Sequence, residues 1–305
     1  MNVIMVAEDI NKDGSFKQTK GEIMCTVSNL AFIKHYYPDF HTILFVDKFT
    51  RPYYESFGIT ELFDEVNDIM LDEHVDIDKN VFWAAGKLMA QRITPGPTLT
   101  MDLDFWVCAD ISMFGIFDSD ISCLWVEEIN EKYYHRHEDA LKNSNLKIEC
   151  DWDQYGINVS FLYLKDEEFK NTYCDLSIEY MKSMYGKIPN NLSFEDKTKY
   201  ILFAEQYLLN QIAKKYDKKV KVLVDDFYDI TNLKHVESIG VHMKTCPKYL
   251  YHMGNHKHDY RAKNSFAIEG IERFYKTTTS VITDDRFIKV INNIYNKSEY
   301  EGCFC

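Results

Sequence analysis

Apolar residues in this chain come in short unbroken runs rather than in alternation. "NVIMVAE" at the start, "HTILFVD" from position 41 and "TLTMDLD" from position 98 each read as a buried strand. Continuous apolar strands suit a sheet covered on both faces by helices. Between the first two lies "GEIMCTVSNLAFIKHYY", with helical spacing that stops at Pro38; before the third lies "NVFWAAGKLMAQRI", with Val81, Ala85 and Leu88 on one helical stripe, ended by "TPGP". This alternation predicts an α/β fold built on a mixed, mostly parallel sheet flanked by helices. Further on, "YGINVSFLYLKD" (155–166) predicts one strand carrying Asn158 among apolar residues. "FAEQYLLNQIA" (203–213) predicts a helix. Its apolar stripe of Ile201, Leu208 and Ile212 also holds Glu205, with Gln206 beside it. Near the end, "DDRFIKVINNIYNK" places Phe287, Ile288, Ile291 and Ile294 on one side of a helix. A main domain over 1–275 with a C-terminal helical extension over 276–305 is the expected organisation. That extension is expected to pack on the domain, although peripheral membrane contact stays open.

Composition narrows the function. The 305 residues are 46% hydrophobic, ample for a large core, and 6 prolines and 12 glycines leave little room for linkers. A net charge of -13 without a long Lys/Arg run argues against an extended nucleic-acid footprint. No stretch approaches a transmembrane segment, and no basic n-region opens the chain. The eight cysteines are scattered without zinc-site spacing. A reducing, cytoplasmic location is expected.

The chemistry concentrates in "LTMDLDFWV". Asp102 and Asp104 close an apolar run, and acids are rarely buried without partners. On a strand, residues i and i+2 point to the same side, and ligands of open α/β sheets bind beyond the carboxyl ends of strands. Two like charges there repel unless a cation lies between them. Mg²⁺ and Mn²⁺ take carboxylate oxygens and bring substrate phosphates with them. A solvated turn with two capping acids is the plainer alternative. Later, "YHMGNHKHD" (251–259) offers His252 as an imidazole ligand, Gly254 for close backbone approach and Lys257 as a point charge for phosphate. Asp47 and Asp110 follow strand-like segments and are expected to cap turns.

In this order the motifs resemble glycosyltransferases of the GT-A fold. They are most similar to glycosyltransferase family 8, the glycogenin and lipopolysaccharide galactosyl- and glucosyltransferase type, as a divergent bacterial member. The resemblance spans roughly residues 1–260. It implies that Asp102, Asp104 and His252 hold Mn²⁺ (or Mg²⁺) on a nucleotide-diphosphate sugar, usually a UDP-sugar. Lys257 and Gly254 would meet the diphosphate, and Ala7 and Asp9 the base. "EQYLLN" is similar to the family's Asp-Gln-Asp-x-Leu-Asn segment. This sets Gln206 near the reacting carbon, Glu205 as the candidate nucleophile and Asn158 on donor or acceptor hydroxyls. Lys87, in "AAGKLMA", stands where the family has a basic residue reaching the donor; a snorkelling surface lysine is the alternative. Retention of configuration and a carbohydrate, lipid-linked or protein acceptor follow, in surface polysaccharide synthesis. The chain departs from the pattern at Glu205 and Tyr207, each in place of Asp, at "NVS", which lacks the usual glycine, and after Lys257, where Pro-Trp is missing. Two rivals stand. A nucleotidyltransferase would carry a Gly-rich phosphate loop, of which "NKDGSFKQTK" is a poor version. A non-catalytic nucleotide-sugar binder would keep the pocket alone.

Overall fold

The structure, a computed structural model, describes residues 1–8, 18, 20–68, 76–127, 137–152, 156–223, 250–252 and 265–296. In chain order these form β1 (Asn2–Ala7), α1 (Lys20–Tyr36), β2 (His41–Val46), α2 (Arg51–Glu55), β3 (Glu65–Asn67), α3 (Ala85–Ile93), β4 (Thr98–Met101), β5 (Phe105–Val107), β6 (Ile121–Cys123) and β7 (Val126–Glu127). Then follow α4 (His137–Lys142), β8 (Gly156–Ile157), β9 (Phe161–Leu164), α5 (Glu167–Ser183), α6 (Phe194–Leu202), a π-helical turn (Phe203–Tyr207), α7 (Leu208–Lys215), β10 (Val220–Val222) and β11 (Leu250–His252). The last two helices are α8 (Ser265–Val281) and α9 (Asp285–Asn296).

Seven strands form the main sheet in the order β3-β2-β1-β4-β9-β6-β10. The β3, β2, β1 and β4 strands are parallel, β9 is antiparallel to both β4 and β6, and β10 is parallel to β6. One face carries Val3, Met5, Leu44, Val46, Leu99 and Met101 against α1, α8 and α9. The other carries Leu162 and Leu164 against α3, α5 and α7, with Ile4 and Phe45 meeting Ala90 of α3. Both faces are therefore covered, which is why the strands read as continuous apolar runs.

Helix α1 is buried over almost its whole length, from Gly21 to Ile33, because it lies between the sheet and α8 and α9. The apolar side expected in the C-terminal stretch is covered by this packing: Phe287, Val290, Ile291 and Ile294 of α9 join the same core as β1. Among the described residues, no helix is long and apolar enough to cross a membrane.

Three local expectations need correction. Strand β4 stops at Met101, so Asp102 and Asp104 lie in a turn rather than on a strand. The chain reverses there: the Phe105 amide donates to the Asp102 carbonyl (3.2 Å), and the Asp102 amide donates to the Ser160 carbonyl (2.7 Å). Segment 155–166 is two strands in different sheets, with Asn158 in the break between them. The stretch from Asn80 is helical only from Ala85, because the Val81 and Phe82 amides are already turned back onto the Asp78 carbonyl.

Because α9 closes the first core, Ile291→Ala should lower stability by about 2–5 kcal/mol, the usual loss for truncating a fully buried aliphatic side chain. Lys289→Ala, on the exposed side of the same helix, should stay within about 0.5 kcal/mol. Urea unfolding measures both, and equal small effects would show that α9 is not part of the cooperative core.

Candidate functional site

The carboxyl ends of β1 and β4 open on a pocket of about 290 Å³. Val6 and Glu8 line it from β1, Gln18 and Glu22 from the start of α1, Trp83, Ala84 and Lys87 from the start of α3, and Met101 through Asp104 from the turn after β4. Glu205 reaches it from the π-helical turn. The loss of strand geometry at Asp102 and Asp104 therefore does not separate them: the turn delivers both to one cavity.

That turn is held from two sides. From α1, Asn29 donates through Nδ2 to the Phe105 carbonyl and accepts the Val107 amide at Oδ1 (2.8 Å), while the Cys25 thiol also donates to the Phe105 carbonyl (3.1 Å). The side chain of Asn29 thus satisfies β5 as a neighbouring strand would. Burial, with Asp104 nearby, pushes the Cys25 thiol well above its usual range and keeps it protonated. On its other edge β5 pairs antiparallel with β11, which sets the His252 backbone opposite Phe105, next after Asp104. Among the described residues no group of three His, Cys, Asp or Glu side chains forms a metal cage.

Lys87 is the cation of the pocket. Its Nζ pairs with Asp102 Oδ1 at 2.7 Å and with Glu205 Oε1. It also donates to the Val159 carbonyl at 3.4 Å. Burial alone would lower its pKa, but the two carboxylates outweigh burial and hold it above the ordinary lysine value. The snorkelling alternative fails: the ammonium points inward, with the side chain 10% exposed. A second buried lysine, Lys170 of α5, donates to the carbonyls of Thr94 and Gly96 (3.0 Å) and fixes the α3–β4 connection. Gly96 has φ +67°, a left-handed conformation that suits glycine. The placement of Lys87 against Asp102 follows from that connection.

Glu205 is buried on a π-helical turn, an irregularity whose freed carbonyls need partners. Tyr173 donates its hydroxyl to the Glu205 carbonyl (2.6 Å) and Ser177 to the Ala204 carbonyl (2.8 Å). Gln206 is buried on the same turn, but its side chain does not line the pocket. Asn158 also lies off the pocket lining; its Oδ1 accepts the Ser160 amide (3.0 Å), so it shapes the loop that holds Asp102. Ala7 faces the core, and its neighbours Val6 and Glu8 line the pocket instead. Glu8 forms a buried ion pair with Lys79. Asp47 and Asp110 cap turns as expected, accepting the Thr50 amide (2.7 Å) and the Ser112 amide (2.9 Å). Asp9, Gly254, Lys257 and the side chain of His252 lie outside the described residues.

Sequence reasoning missed Gln18, Glu22, Trp83 and Asn29. Glu22 and Asn29 sit in a helix that is ordinary by pattern, and Gln18 sits in a polar stretch. Nothing local marks them.

Lys87→Met should leave Asp102 and Glu205 facing each other without their cation, at a cost of about 3–5 kcal/mol for breaking a buried pair. The buried Glu205 carboxyl should then titrate above its unfolded value. A folded-state pKa raised above the unfolded one means that the folded state binds more protons, so the variant's stability falls as pH rises. Wild type, whose Lys87 stays charged to above the ordinary lysine range, should show no such loss from this site between pH 5 and pH 8. Urea melts at both pH values check this; parallel pH dependence in the two proteins would rule it out.

Among solved structures, the galactosyltransferase LgtC in complex with donor and acceptor sugar analogs aligns at 11% identity and a TM-score of 0.47, covering 95% of this chain and 100% of that one. The apo-form glycosyltransferase GlyE of Streptococcus pneumoniae aligns at 12% identity and a TM-score of 0.48, covering 96% of this chain and 62% of that one. The nucleoside-diphosphate-sugar pyrophosphorylase of Vibrio cholerae aligns at 12% identity and a TM-score of 0.38, covering 73% and 91%. No curated protein matches the sequence. One family model, described as "Family of unknown function (DUF6734)", matches residues 23–282.

Proposed function

The chain belongs to DUF6734, and we propose that this member is a metal-dependent glycosyltransferase of the GT-A type, similar to family 8. It moves a sugar from a nucleotide-diphosphate sugar, UDP-linked by resemblance, to an acceptor hydroxyl with retention of configuration. The acceptor is a carbohydrate, lipid-linked or protein group, in surface polysaccharide synthesis. The observation that carries the proposal is the convergence of Asp102, Asp104, Lys87 and Glu205 on one pocket at the carboxyl edge of the sheet.

Asp102 and Asp104 supply the carboxylate oxygens for Mn²⁺ or Mg²⁺. The pairing of β11 with β5 brings the chain carrying His252 to the same turn, so its imidazole is the third ligand. When bound, the cation acts as a Lewis acid on the leaving diphosphate. Lys87 keeps Asp102 and Glu205 ionised and positioned. Lys257, brought in with Gly254 by the segment after β11, adds a second positive charge on the diphosphate. The transition state resembles an oxocarbenium ion, and the carboxylate of Glu205 stabilises it from the pocket wall. Gln206 and Asn158 are assigned to donor and acceptor hydroxyls. Ala7 and Asp9 flank Glu8 at the end of β1, where the base binds.

Incubation with Mn²⁺ and a panel of nucleotide sugars tests the assignment. Release of nucleoside diphosphate is the expected result. Pyrophosphate release would indicate a nucleotidyltransferase, and binding without turnover a nucleotide-sugar binder.

Asp104→Asn should abolish turnover while the protein stays folded, and excess chelator should do the same to wild type. Full activity in either experiment would remove the metal from the proposal.

Imidazole nitrogen suits the softer transition ion, whereas carboxylates take Mg²⁺ and Mn²⁺ alike. Wild type should therefore prefer Mn²⁺, and His252→Ala should reduce that preference. An activity titration with both ions decides it: a strong preference for Mg²⁺ in wild type would exclude His252 as a ligand.

A further inference from the structure

Gln18 holds the clearest unmet donor in the pocket. Its side chain is 4% exposed. The Tyr54 hydroxyl donates to its Oε1 (2.6 Å) and the Tyr53 hydroxyl to its backbone carbonyl (2.9 Å), so two side chains of α2 lock the residue and fix which end of the amide is the donor. Its Nε2 is buried and, among the described residues, meets no acceptor. Yet Gln18 is part of the pocket lining. A buried N–H pair without a partner is costly, and a polar group kept unmet in a pocket wall is explained by a ligand that completes it.

The surroundings decide what that ligand offers. Glu8 and Glu22 line the same pocket. Their negative charge disfavours a phosphate oxygen near Gln18 and favours a neutral acceptor whose own N–H groups suit carboxylate surroundings. Position agrees. Gln18 is tied to α2, which follows β2, whereas Asp102 follows β4, and β1 lies between those strands. Two strand spacings make about 10 Å, which separates a phosphate end at β4 from a nucleoside end at Gln18. Val6 and Trp83 add apolar wall for a flat ring.

We infer that Gln18 is a specificity-determining residue that selects a keto nucleobase. Its Nε2 donates to the exocyclic ring oxygen that cytosine and adenine replace with an amine, as O4 of uracil or O6 of guanine. The inference rests on the nucleotide-sugar reading above and deepens it. An amine at that position would set donor against donor, and a site built to hydrogen-bond one group rejects the analogue that cannot pair.

The experiment measures binding of UDP, CDP and 2′-deoxy-UDP to the full chain with Mn²⁺, in wild type and in Gln18→Glu. The substitution keeps the acceptor for Tyr54 and removes the donor. Wild type should bind UDP about tenfold or more tighter than CDP. In Gln18→Glu that ratio should fall to near one or invert, while binding of inorganic pyrophosphate with Mn²⁺ is unchanged. A wild type without keto preference overturns the inference, as does a folded variant that retains it. A variant that changes the UDP to 2′-deoxy-UDP ratio instead would assign Gln18 to the ribose and also overturn it. If the variant does not fold, the wild-type UDP to CDP ratio still decides. Failure of every nucleotide to bind would remove the glycosyltransferase proposal as well, whereas nucleotide binding without base preference would remove only the role of Gln18.

Discussion

One buried ammonium group holds the pocket together. Lys87 comes from the start of α3, Asp102 from the turn after β4, and Glu205 from a helix a hundred residues later. Without a cation between them the two carboxylates would be like charges in a poorly solvated cleft, and one would have to take up a proton. With it, three elements are tied to a single point. The supports elsewhere serve that point. Lys170 fixes the connection from α3 to β4, Tyr173 and Ser177 steady the π-helical turn, and Asn29 and Cys25 pin β5 just beyond Asp104. Most of these groups are buried side chains bonding to backbone carbonyls. Such bonds specify position more than they add stability, because most of the energy regained is the desolvation of the same groups.

How much of this was legible depends on the range of the interaction. β1, β2, β4 and α1 could be read from runs of apolar residues because double-sided burial is written locally, residue by residue. Element ends could not. Met101 ends β4 because the Asp102 amide finds the carbonyl of Ser160, and no local signal announces that partner. The same holds for the break at Asn158, whose neighbours are as apolar as a strand requires.

In the site, Asp102, Asp104, Lys87 and Glu205 stood out because each interrupts an apolar context. A charge in such a context needs a reason. Gln18, Glu22 and Asn29 gave no contrast, since a polar residue in a polar stretch, or one more polar position on a helix, is unremarked by pattern. Asn29 matters only because α1 is buried on all sides, so its amide has nowhere to go except the edge of β5. The opposition of His252 to Phe105 is likewise a pairing across more than a hundred residues. It was reached through a motif resemblance and not through periodicity.

Charge also constrains the sequence of events that the proposed chemistry allows. Glu8, Glu22, Asp102, Asp104 and Glu205 line the pocket, against Lys87 in the lining and Lys79 behind Glu8. Five carboxylates against two ammonium groups make a site that attracts cations and repels a diphosphate. A nucleotide sugar arriving alone meets like charge in a cleft whose low-dielectric walls strengthen the repulsion. A divalent cation bridging Asp102 and Asp104 removes most of that excess before any phosphate arrives, and presents the diphosphate with a positive centre. Cation first, or cation and donor together, is therefore the order that the electrostatics permits. Such a pocket does not need the dense cluster of basic residues that phosphate sites often carry, which is how a chain of net charge -13 accommodates a doubly anionic leaving group.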